Sequence, residues 1–166
     1  MIFSGSGGTT SPDEQGYSDI NFFVSGAIGS IIFSESEFNA DIFAGHSLGE
    51  YSALVAAKKL QFDHAIQLVK QRGEAMQAAV PIGQGAMAAV LRYKPDELKI
   101  LCQDTAEQSG QVVEVVNFNS PQQQIISGHL EAVQAVCKAL KAKRILSKQL
   151  PVSAPFHSSL MTPAKT

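Results

Sequence analysis

The 166-residue chain has no tryptophan, three tyrosines and only two cysteines. Cys102 and Cys137 lie in stretches of helical rhythm, far from any second Cys/His cluster. Neither a disulfide framework nor a zinc site is expected, and a reducing cytoplasm is the expected compartment. An excess of charge of one sign is missing too. Thirteen Lys and Arg against 15 Asp and Glu give a formal net charge of -2, with no basic run, so no electrostatic footprint for nucleic acid is present. No apolar stretch is long enough to cross a bilayer: the richest, Phe22 to Phe33, is broken by Ser25 and Ser30. The start, MIFSGSGG, lacks the basic and apolar regions of a signal peptide, and its GSGG lacks the Gly-Lys-Ser/Thr ending of a phosphate loop. Composition is 45% hydrophobic, over a length able to bury one sizeable core.

Periodicity divides the chain into two rhythms. Residues 1–17 read as a strand stub and loop, and Ile20, Val24, Ala27, Ile28 and Ile31 follow helical spacing from Ser18 onward. Asp41-Ile42-Phe43-Ala44 reads as a short buried strand. A helix follows with Leu48, Tyr51, Leu54 and Val55 on its inner face, then a second over roughly 64–79 with Asp63 as N-cap. Pro81, Gly83 and Gly85 punctuate the chain. Beyond them Ala86–Leu91 reads as a strand, Pro95–Ala106 as a helix, Val112–Phe118 and Gln124–Ser127 as strands, Glu131–Ala142 as a helix and Ile145–Val152 as a last strand. The order βαββαβ is that of a ferredoxin-like unit.

At the end of the first apolar strand stands Gly45-His46-Ser47-Leu48-Gly49. This is G-x-S-x-G in a strand–turn–helix setting, a turn that thrusts the serine side chain out of the backbone. The backbone N–H of Leu48, at the helix start, then points toward any oxyanion formed on a carbonyl attacked by Ser47. A glycine-rich turn with a serine N-cap is the alternative. A serine nucleophile needs a base. His46 is locked in the turn, while His64 and His129 each open a helix. His157 lies on the loop Ser153-Ala154-Pro155-Phe156-His157-Ser158-Ser159 and is the best placed, unless it is a solvated loop residue. Arg72 falls inside the apolar stripe Ala65, Leu68, Val69, Met76 and Ala79. Its guanidinium either snorkels to water or is held inside against an anion, whose carboxylate form it can grip in a bidentate way.

In order, GHSLGEYSAL, QRGEAMQ, GAMAAV, VNFNSPQQQIISG and PVSAPFHSSLM resemble the malonyl-CoA:acyl-carrier-protein transacylases of fatty acid synthesis, from about Asp41 to Pro163. The resemblance implies an α/β fold: an α/β-hydrolase-like large subdomain with a ferredoxin-like insertion. Residues 1–84 are then the N-terminal part of the large subdomain, 85–150 the small one, and 151–166 a segment returning to the large one with His157. The implied activity is transfer of a malonyl group from malonyl-CoA to the phosphopantetheine thiol of acyl carrier protein through a malonyl-serine, without cofactor or metal. In this resemblance Ser47 is the nucleophile, His157 its base, and Arg72 the holder of the malonyl carboxylate. Leu48 lends its N–H, and Phe156 crowds any substituent on the α-carbon.

The chain also departs from the family's pattern. Phe3-Ser4-Gly5-Ser6-Gly7-Gly8-Thr9 stands where the family has F-x-G-Q-G-S-Q, with Ser6 in place of the glutamine that lends a second oxyanion donor. The family's remaining core strands, and the carbonyl that orients the histidine, are expected beyond the last residue of this chain. Two other readings therefore stay open: a catalytically inactive module that binds carrier protein, and a generic serine hydrolase.

Overall fold

A computed structural model describes residues 2–4 and 40–165; the glycine-rich loop and the helix expected from Ser18 lie outside them. The chain forms two compact units, Met1–Ala75 and Met76–Thr166.

In the first unit β1 (Ile2–Ser4) runs parallel to β2 (Ala44–His46), with Phe3 opposite Gly45. The strand expected at Asp41–Ala44 starts only at Ala44, and Ile42 is 77% exposed. Apolar composition suggested burial, but the pairing with a three-residue β1 decides which residues take strand geometry. Helix α1 (Gly49–Ala56) follows, and α2 (Phe62–Ala79) leaves the unit near its end. Because α2 begins at Phe62, Asp63 sits in its first turn rather than at the cap.

Leu48, Ala65 and Val69 form a buried cluster, joined by Tyr51, Val55, Leu60, Phe62 and Ile66. Leu54 and Leu68, expected on the inner faces, are exposed instead. At about 100° per residue Leu68 lies about 80° from the midline of Ala65 and Val69, at the edge of the stripe, and Leu54 lies on the side of α1 away from the buried Ser52 and Ala53. The end of α1 is satisfied without glycine. Lys58 takes φ 57 and its N–H donates to the Val55 carbonyl, while Lys59 N–H donates to the Leu54 carbonyl. That pair of bonds is a Schellman motif.

The second unit contains β3 (Gly85–Leu91), α3 (Pro95–Ser109), β4 (Val113–Ser120), β5 (Gln123–His129), α4 (Leu130–Ala142) and β6 (Ser147–Gln149). The sheet order is β4-β5-β3-β6 with every neighbouring pair antiparallel. Counted within the unit this is second, third, first, fourth, the ferredoxin-like arrangement expected from the element order. Ala86, Ala88 and Val90 alternate along β3 and meet Leu98 and Cys102 of α3 and Val133, Val136 and Leu140 of α4. Small residues on the central strand let both helices lie close to the sheet.

Local chemistry sets the element ends. Pro95 opens α3, where its missing N–H costs nothing, and Gly110 closes it at φ 67. Helix α4 closes on Arg144 at φ 60, with Arg144 N–H donating to the Lys141 carbonyl and Ile145 N–H to that of Leu140. The last strand is shorter than the expected Ile145–Val152. Beyond Ser147–Gln149 only isolated bonds continue, Leu91 N–H to the Leu146 carbonyl and Leu150 N–H to that of Met87. Pro151 has no N–H to carry the ladder further.

Candidate active site

Between the end of β2 at His46 and the start of α1 at Gly49 the chain must reverse from extended to helical in two residues. Ser47 absorbs the change with φ 54, in the left-handed region that side chains disfavour. The approach is close enough that a Cβ on Gly45 would strike the backbone of Gly49 and Glu50. Glu50 N–H donates to the Ser47 carbonyl at 3.1 Å and Tyr51 N–H to that of Leu48 at 3.2 Å, closing the first turn. The buried Leu48 side chain pins this turn into the cluster of the first unit, and its backbone is already helical at φ -56, ψ -32. Leu48 thus places its amide at the positive end of α1.

Arg72 comes from α2, on the stripe that carries Ala65 and Val69, and is half-buried. Its Nη2 donates to Ser47 Oγ at 3.0 Å, joining residues 25 apart in sequence. Of the two positions open to this guanidinium, the inward one is realised. A fixed cation therefore touches the hydroxyl at the tip of the turn.

In the second unit the segment after β6 turns tightly. Ala154 and Pro155 are buried, and a Cβ on Gly85 would collide with the Pro155 ring and the Ser153 carbonyl. The Pro155 carbonyl accepts both Ser158 N–H, at 3.3 Å, and Ser158 Oγ–H, at 2.7 Å. Phe156 and His157 occupy the centre of that turn. His157 is exposed with φ 64, and Phe156 packs with Met76, Val80 and Met161. A 3₁₀ helix, Ser159–Lys165, follows, and Ser159 N–H donates to Glu114 Oε2 at 2.8 Å.

Five described residues other than glycine have positive φ: Ser47, Lys58, Arg92, Arg144 and His157. Lys58 and Arg144 end helices and Arg92 follows β3, which leaves Ser47 and His157 held in a disfavoured conformation outside such positions. Strain of this kind persists where surrounding structure enforces it, and it gathers at functional sites. The other histidines have different settings. His46 lies on β2 and His64 on the exposed face of α2. His129 accepts the Val112 N–H at Nδ1 at 2.9 Å and returns its own N–H to the Val112 carbonyl at 2.8 Å, clasping β4 to β5.

The two cysteines are free, and burial pushes the Cys102 thiol up to about 12, with Cys137 adding to the shift. Burial also raises Cys137, partly offset by a hydrogen bond with Ser147. Both stay protonated near neutrality and neither is a competing nucleophile. Among the described residues no group of three or more His, Cys, Asp or Glu could hold a metal ion, and no helix is long and apolar enough to cross a membrane. Glu114 was not singled out by sequence. Its alternation between Val113 and Val115 reveals its face of the sheet but not its partner 45 residues away.

Residues 35–166 match the acyl transferase domain family. The chain is 54% identical over 126 residues to the malonyl CoA-acyl carrier protein transacylase of Escherichia coli (strain K12), covering 74% of this chain and 40% of that one. The solved structure of the malonyl CoA-acyl carrier protein transacylase from Coxiella burnetii superposes with a TM-score of 0.86 at 38% identity, over 92% of this chain and 48% of that one. A malonyl-transacylase solved in complex with its type II PKS acyl-carrier protein superposes at 0.82 with 32% identity, over 99% of this chain and 66% of that one. The chain thus spans about 40% of the length of the curated relative it matches. The fold is α/β: the second unit carries the ferredoxin-like sheet, and the solved relatives carry an α/β-hydrolase-like large subdomain.

Proposed function

The chain belongs to the acyl transferase domain family, and on that premise we propose that it moves a malonyl group from malonyl-CoA to the phosphopantetheine thiol of acyl carrier protein. The observation that carries this reading is the 3.0 Å hydrogen bond from Arg72 to Ser47 Oγ. A generic esterase has no use for a cation on its nucleophile. A malonyl ester on Oγ, by contrast, carries a free carboxylate three bonds further out, within a side-chain rotation of the same guanidinium. A guanidinium left unpaired by an acetyl or longer neutral acyl group penalises those substrates.

Ser47 Oγ attacks the thioester carbonyl while His157 takes the hydroxyl proton. The developing oxyanion is received by the Leu48 N–H at the positive end of α1. The C–S bond then breaks, and the thiol of CoA leaves with the proton from the imidazole. In the second half the carrier thiol gives its proton to the imidazole, attacks the malonyl-serine, and restores the Ser47 hydroxyl. Phe156 beside the base crowds a substituent on the α-carbon, so methylmalonyl is disfavoured. A cytoplasmic setting belongs to this reading, supported by the two unpaired thiols.

Intact-protein mass spectrometry after mixing with malonyl-CoA tests the reading. A malonyl adduct is expected on Ser47, absent in Ser47→Ala and discharged by holo carrier protein. No adduct, with carrier protein still bound, points instead to an inactive docking module. An adduct formed equally from neutral esters points to a hydrolase.

A further inference from the structure

Glu114 stands between Val113 and Val115, which pack beneath the helices of the second unit, so it faces the opposite side of the sheet. There its Oε2 holds the Ser159 N–H at 2.8 Å. Ser159 is the second residue after His157. Three bonds of the intervening turn are local: Phe156 N–H to the Ala154 carbonyl, Ser158 to the Pro155 carbonyl, and Met161 N–H to the Ser158 carbonyl. Such bonds shape the turn but do not anchor it to the sheet.

Contacts at either flank supply the anchoring. Upstream, Pro155 seats against Gly85 at the start of β3. Downstream, the carboxylate of Glu114 ties Ser159 to β4. His157 lies between these anchors at φ 64, in the left-handed region that persists only where surrounding structure holds it. Ser127, directly across from Glu114 in the ladder, is fully buried, which fixes the strand on which the carboxylate stands.

We infer that Glu114 is a positioning residue for His157, holding the imidazole turn in register through Ser159; the inference rests on the reading of His157 as the base. The chemistry it supports is unchanged. Glu114 neither touches substrate nor moves a proton.

The test is the rate of Ser47 acylation by malonyl-CoA, followed by rapid-quench mass spectrometry. Glu114→Ala is expected to slow acylation roughly 10–100-fold with unchanged half-saturation by malonyl-CoA, because a displaced catalytic group costs rate rather than ground-state binding. Glu114→Gln keeps an oxygen that accepts the Ser159 N–H and stays within about threefold of wild type. In a His157→Ala background Glu114→Ala brings no further loss, as expected for two residues acting through one group. Equal losses in the Gln and Ala variants, or additive losses in the double variant, overturn the inference.

His157→Ala acylating at the wild-type rate sinks the base assignment and this inference with it. A slow His157→Ala beside an unaffected Glu114→Ala sinks the inference alone. Hydrogen exchange at the Ser159 amide reads the bond even without acylation. It is protected in wild type and Glu114→Gln and open in Glu114→Ala, and an unprotected wild-type amide refutes the tie.

Discussion

Replacing Arg72 separates recognition of a charged acyl group from chemistry on any acyl group. The guanidinium is half-buried on α2 and directed at Ser47 Oγ. A hydrogen bond to a charged partner contributes about 1.5–3 kcal/mol, and removing it leaves the substrate carboxylate desolvated without a cation. Arg72→Ala is therefore expected to lower kcat/KM for malonyl-CoA by roughly 10–150-fold. Lysine restores the charge but not the planar fork, so Arg72→Lys recovers only part of the loss. Acetyl-CoA never makes the bond, and because Arg72→Ala also removes the cation that penalises a neutral acyl group, its slower turnover is expected to hold or rise. The assay is release of CoA thiol with each substrate, in wild type and both variants, with thermal midpoints to confirm folding. Equal loss with malonyl-CoA and acetyl-CoA refutes the reasoning, because it makes Arg72 a support for the turn rather than a reader of the carboxylate.

Helix ends give a second prediction with two opposite signs. Arg144 holds φ 60 after α4, where glycine pays no steric penalty, so Arg144→Gly is expected to stabilise by about 0.5–1 kcal/mol. Gly110→Ala at φ 67 is expected to destabilise by about 1 kcal/mol, and urea midpoints that move the same way for both contradict the assignment. A third concerns alkali. Burial raises Cys102 from its ordinary 9.0 to about 12, so between those values the unfolded chain releases the proton and the folded chain keeps it. Stability is then full below pH 9 and falls on the order of 1 kcal/mol per pH unit above it. Cys102→Ala is expected to flatten that slope in urea titrations from pH 8 to about 11; an unchanged slope removes the thiol from the account.

How much of this was legible in the sequence depends on whether a feature is made by neighbours along the chain. The turn at Ser47 was legible because strand, glycines and helix are contiguous, and two residues must perform the whole reversal. The ferredoxin-like unit was legible for the same reason: its periods switch cleanly between strand and helix spacing over 85–149. Arg72 was half legible. Its place on an apolar stripe was visible, but the choice between water and Ser47 depends on where α2 lies across α1, and only the packing of Leu48, Ala65 and Val69 settles that. The ends of β2 and β6 were misread because apolar composition reports burial, whereas strand limits follow from the partner's length and from residues such as Pro151 that cannot donate. Glu114 was invisible, since an isolated acidic residue in a half-exposed strand is ordinary until its partner 45 residues away is known. Where a residue's effect runs through a distant backbone amide, composition and spacing carry no trace of it. The same logic explains why the left-handed turn at His157 could be named as a loop but not as a strained one: its flanking residues Pro155 and Ser159 meet Gly85 and Glu114, on two different strands.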